Sequence, residues 1–175
     1  EEYGQAIELL DQAHALQPND PEIFLTKGSI LSLQGNHSEA IENYEQALLL
    51  ADDKDEVYYS IGLAHQSMED FQQAIIAYKK SIEININHEG SLYELAFCLD
   101  LTGQLESSIE YYQKFIDEDP YSTAAWYNLG IVYNKLEKFE EALQAYDYAL
   151  TIDESFASAY FNTGNTYMNM GEYTK

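Results

Sequence analysis

The sequence predicts an all-α fold, a right-handed superhelical solenoid of antiparallel helix pairs, and three columns of residues predict it. Tyr44, Tyr78, Tyr112 and Tyr146 recur every 34 residues without a slip. Gly28, Gly62, Gly130 and Gly164 keep the same spacing, with Ala96 in the remaining slot, and so do Ala6, Ala40, Ala74, Ser108 and Ala142. A fixed period of this length marks an array of one supersecondary unit, each copy too small to bury its own apolar face and therefore stacked on its neighbours. Equal units related by equal small rotations wind into a superhelix.

Residues 1–20 read as the second helix of an interrupted unit, with Ile7, Leu9 and Leu10 on its apolar side. The first complete unit, residues 21–54, opens with Phe24, Leu25, Ile30, Leu31 and Leu33 at helical spacing and breaks at Gly35-Asn36. Its second helix is expected to be capped by Ser38 and to turn Ala40, Ile41, Tyr44, Ala47 and Leu48 inward. Units 55–88, 89–122 and 123–156 repeat the pattern, and 157–175 supplies one more first helix. The period places the first helices at about Glu22–Leu33, Glu56–Met68, Gly90–Leu101, Ala124–Leu136 and Ser158–Met170, for ten helices in all. Pro18 and Pro120 stop two of the second helices, while Asp52, Ile86 and Glu154 hold the corresponding slots elsewhere. Small residues in the Gly28 column let two helices approach, and rings in the Tyr44 column fill the space beside them.

The segment Trp126-Tyr127-Asn128-Leu129-Gly130-Ile131-Val132-Tyr133, followed by Ala142 and Tyr146, resembles the tetratricopeptide repeat over the length of the chain. The resemblance implies that successive first helices line a concave groove. Leu25, Tyr59, Tyr93, Tyr127 and Phe161 would then point into it, with Asn128 and Asn162 at the next position and Leu63, Phe97, Ile131 and Asn165 one turn further on. An exposed aromatic ladder of this kind calls for a covering ligand, unless the rings pack on neighbouring repeats instead. Asn128 and Asn162 are similar to the asparagines by which some members hold a peptide main chain. Members that dock chaperone tails use a clamp of cations; here Leu25, Tyr59, Tyr93 and Gly90 stand at those places, and the chain has no arginine.

Composition narrows the partner. The 31 acidic residues outnumber 8 lysines, for a formal charge of -23, which disfavours nucleic acid and anionic membranes and favours an apolar, neutral or basic protein segment. No signal peptide or membrane span is legible, and the lone Cys98 excludes an intrachain disulfide, which leans toward a cytoplasmic location. The histidines His14, His37, His65 and His88 fall at four phases of the repeat without metal-ligand spacing. The acidic clusters Asp52, Asp53, Asp55, Glu56 and Asp117, Glu118, Asp119 read as helix capping and solubility, because neither has the form of a calcium loop. Cys98 has no adjacent base and reads as a small buried hydrophobe. The expectation is therefore a peptide-binding scaffold without catalytic residues, metal or cofactor. The alternatives are a targeting or regulatory domain of a larger enzyme and an inert spacer. Because the chain starts and stops within repeats, it reads as a fragment whose ends would self-associate through Ile7, Leu9, Leu10, Tyr160, Tyr167, Met168 and Met170.

Overall fold

A computed structural model describes residues 2–171. Ten α-helices run in order: α1 Glu2–Leu16, α2 Pro21–Leu33, α3 His37–Leu50, α4 Asp55–Ser67, α5 Phe71–Ile84, α6 Glu89–Leu101, α7 Leu105–Glu118, α8 Thr123–Lys135, α9 Phe139–Ile152 and α10 Ala157–Asn169. No strand occurs among the described residues. Each first helix begins one residue before the place the period assigns it. None of the helices is long and apolar enough to cross a membrane. Contacts divide the chain into two compact units, Glu1–Ser91 and Leu92–Lys175, with the division inside α6.

Every first helix ends in the same turn. Residues 35, 69, 103, 137 and 171 all have positive φ: Gly35 81°, Glu69 60°, Gly103 76°, Glu137 58° and Gly171 77°. The residue after each of the first four bonds back over the helix end: Asn36 N–H to Leu31 O, Asp70 to His65, Gln104 to Leu99 and Lys138 to Tyr133, at 2.8–2.9 Å. This is a Schellman closure, in which a left-handed residue satisfies carbonyls that the helix leaves unpaired. Helix starts vary more. Asp20 accepts from Glu22 N–H, Asp70 from Gln73 N–H and Ser122 from Ala125 N–H. Ser38 does not cap α3, contrary to the sequence expectation. That helix begins at His37 with Asn36 as a cap residue lacking a side-chain bond, and the Ser38 hydroxyl lies 3.7 Å from Met68 Sδ.

In unit 1, α2 packs on α3, α3 on α4 and α4 on α5. Leu31, Ala40, Tyr44, Ala47, Val57, Ile61, Ala64 and Ala77 form its core. In unit 2, α7 packs on α8, α8 on α9 and α9 on α10, with Ala142, Tyr146 and Ala159 buried beneath Tyr127, Ile131, Tyr133, Leu150 and Phe156. The glycine column works as its spacing requires. A Cβ at Gly28 would lie 2.6 Å from Tyr44 Cε1 and one at Gly130 2.5 Å from Tyr146 Cε1, while one at Gly62 would meet the ring of Tyr78. At these three positions an added methyl group would force the ring to shift, whereas the unit of Ala96 and Tyr112 accommodates one.

Candidate peptide-binding face

The first-helix tyrosines Tyr59, Tyr93 and Tyr127 are half-buried rather than free. In unit 2, Tyr93 sets its ring edge-on to Tyr112 and Phe115 at centroid distances of 5.8 and 5.3 Å, and Tyr127 packs on Tyr146 and Phe156 at 5.9 and 4.9 Å. In unit 1, Tyr59 meets Tyr78 at 6.0 Å and His88 at 5.0 Å. These tilted and edge-to-face contacts suit the ring quadrupole and hold each ring in place. Phe161 differs, being 70% exposed. Leu25 and Leu63 in unit 1, and Phe97, Ile131 and Asn165 in unit 2, are each partly covered.

The asparagines are tied into the same scheme. Asn128 Nδ2 donates to the Tyr93 hydroxyl at 2.9 Å and Asn162 Nδ2 to the Tyr127 hydroxyl at 3.0 Å, each bond joining residues 35 apart. Each bond uses one of the two amide protons. Lys135 reaches back over the same interval and holds both carboxylate oxygens of Asp100, at 2.6 and 2.8 Å. A repeated i to i+35 stitch thus joins neighbouring first helices. The sequence shows the participants in register, but the pairing of phenol with amide needs coordinates, because side-chain length and direction decide it.

Below this layer lie the tyrosines of the second helices, and their hydroxyls differ from repeat to repeat. Tyr78 donates to Gln66 Oε1 at 2.7 Å. The equivalent pair 68 residues later is Tyr146 and Asn134. Asparagine is one methylene shorter; the Tyr146 hydroxyl and Asn134 Oδ1 are both buried, and the Asn134 and Asn162 amides lie near enough to the phenol to oppose the effect of burial on it. Burial pushes the Tyr146 phenol up to about 12, so it remains a protonated donor at neutral pH. Tyr146 and Asn134 border a cavity of ≈ 500 Å³ that Ile131, Lys135, Asn162, Asn165, Met168 and Asn169 complete. The cavity offers amides, one phenol, two apolar side chains and the Lys135 ammonium, which is paired with Asp100. Asn134 was not among the residues singled out from the sequence; it gains its place by lining the same cavity as Asn162 and Asn165.

Titratable groups elsewhere are accounted for structurally. Cys98 is fully buried, and burial with the nearby Glu94 charge pushes its thiol up to about 12. His88 Nδ1 accepts from Ser91 N–H at 3.1 Å and so caps α6. The Asn85 amide donates to Asp55 at 2.8 Å and holds that carboxyl below its usual range, whereas Asp53, hydrogen-bonded to Asp55, is raised. Among the described residues no group of three His, Cys, Asp or Glu side chains could hold a metal ion.

Helix pairs with this register, Schellman turn and glycine–tyrosine contact define a helical repeat scaffold. Residues 20–87, 91–122 and 123–156 match profiles described as tetratricopeptide repeat, and the chain belongs to that family. No curated protein matches the sequence. Among solved structures, YrrB is 23% identical with a TM-score of 0.81, over 92% of this chain and 83% of that one. MamA is 27% identical with a TM-score of 0.82, over 89% and 91% of the two chains. The C-terminal part of a repeat protein from Cytophaga hutchinsonii is 16% identical with a TM-score of 0.86, over 99% and 69%. Arrays of this family are protein-interaction scaffolds, a fold not typically catalytic, and this chain is one of them.

Proposed function

We propose that the chain binds an extended peptide segment of a partner protein on its first-helix face, with unit 2 supplying the principal contacts. The observation that carries the reading is the cavity of ≈ 500 Å³ lined by the amides of Asn134, Asn162, Asn165 and Asn169. Each side-chain amide offers both a donor and an acceptor, and a bound peptide unit carries the complementary C=O and N–H. Asn162 and Asn165 extend the polar contacts, and Ile131, Met168 and the exposed Phe161 supply apolar area. Tyr93, Phe97, Tyr127 and Asn128 continue the face along unit 2, and Leu25, Tyr59 and Leu63 occupy the same repeat positions in unit 1. The solved structure of YrrB is described as having an unusual peptide-binding site, which agrees with a peptide ligand here. The net charge of -23 favours a neutral or basic segment.

Selection of binders from a displayed library of random peptides, followed by titration calorimetry, tests the proposal. Asn162→Ala and Phe161→Ala are each expected to weaken the selected peptide by roughly 1–3 kcal/mol. Unchanged affinity in both variants, with the fold intact by circular dichroism, would overturn the proposed site.

A further inference from the structure

Unit 2 has a second cavity, of ≈ 450 Å³, where α7, α8 and α9 meet, and it shares no residue with the first. One wall is aromatic. Trp126 stacks on Tyr148 at a centroid distance of 4.4 Å and an angle of 24°, and its indole N–H donates to Pro120 O at 3.0 Å, which fixes the ring. Tyr148 is 54% exposed, so the stack presents ring surface to solvent. Asp117 and Glu141, both exposed residues, also line the cavity. None of the ion pairs among the described residues involves either of them. The charge of Glu141 reaches the Tyr133 phenol in the same wall and, after burial, helps to raise it.

Aromatic faces and two uncompensated anions together select a cation. A guanidinium suits this arrangement better than an ammonium: it is planar, stacks on rings, sheds water more readily and pairs with carboxylates through two parallel N–H bonds. All eight basic residues of the chain are lysines, so no guanidinium of its own can fill the cavity. We propose that this cavity is a receptor for an arginine side chain of a partner protein, stacked on the Trp126–Tyr148 pair and held by Asp117 and Glu141. This interaction surface lies apart from the peptide site and does not depend on it.

Trp126 is the only tryptophan, so its fluorescence reports on the cavity directly. Titration of the intact chain with N-acetyl-arginine amide is expected to give a saturable change with a half-point of about 1–10 mM, the range of a single anchoring side chain. The isosteric, uncharged N-acetyl-citrulline amide is expected to give none. In the Asp117→Asn, Glu141→Gln double variant the half-point should rise by about fivefold or more. The proposal fails if citrulline amide matches arginine amide, if the folded double variant binds as the parent does, or if no saturable change occurs up to about 50 mM, beyond the weakest expected affinity. The citrulline comparison stands even if the double variant does not fold.

Discussion

At the residue scale the decisive contact is between a glycine and the tyrosine sixteen positions on. A methyl group at Gly130 would intrude to 2.5 Å on the Tyr146 ring, which is fully buried. Gly130→Ala is therefore expected to destabilise the fold by about 1–3 kcal/mol, despite the roughly 0.5–1 kcal/mol that alanine gains in a helix. Gly164 occupies the same column but has nothing within 4 Å. Gly164→Ala is expected to stabilise by roughly 0.5–1 kcal/mol. Thermal melts of the two variants give opposite signs if packing explains the column, and the same sign if glycine is there for another reason. This column was readable in the sequence because spacing alone reveals it. The change from the Tyr78–Gln66 pair to the Tyr146–Asn134 pair was not, since its effect turns on a difference of one methylene that only coordinates resolve. Cys98 was correctly read as a buried hydrophobe, and its thiol, raised to about 12, is expected to resist a thiol reagent until the chain is unfolded. Rapid labelling of the native protein would contradict that burial.

At the scale of the element, the helix ends carry a signal that the apolar pattern hides. Glycine occupies three of the five left-handed positions, but Glu69 and Glu137 occupy the other two, so the column does not stand out as a glycine repeat. A non-glycine residue in this conformation is strained by roughly 1–2 kcal/mol. Gly103→Ala is expected to lower stability by about that amount, and Glu137→Gly to change it little or raise it, because relief of strain opposes the added freedom of the unfolded chain. Denaturant titrations would show whether the two substitutions separate in this order. Caps behave in the same local way. Ser122→Ala should cost about 1 kcal/mol because its hydroxyl holds the Ala125 N–H, whereas Ser38→Ala should be nearly neutral. Helix boundaries were legible from the period to within a residue or so. The caps were not, since serine, asparagine and aspartate crowd several turns and only geometry decides which one bonds.

At the scale of the whole molecule, the repeat pattern supplied the fold class and the family, because each unit restates the same evidence. It supplied the candidate face only in part. The aromatic ladder looks free in sequence, yet Tyr59, Tyr93 and Tyr127 rest on rings beneath them, which leaves the amides and Phe161 as the more available groups. Exposed apolar side chains on α1 and α10, among them Leu9 at 64%, Tyr160 at 56% and Met168 at 52%, lead to an expectation of concentration-dependent association of this chain. Sedimentation showing a monomer at every concentration would exclude it. Binding of a basic peptide should weaken steeply with salt, given the charge of -23.

The central claim is that partner recognition resides on the first-helix face of unit 2. Amide hydrogen exchange of the chain with and without a library-selected peptide tests it most directly. The account predicts that slowed exchange on binding centres on α8 and α10, around Ile131, Asn134, Asn162 and Asn165. Protection confined to α7 and α9, or absent from α8 and α10 at saturating peptide, would contradict it.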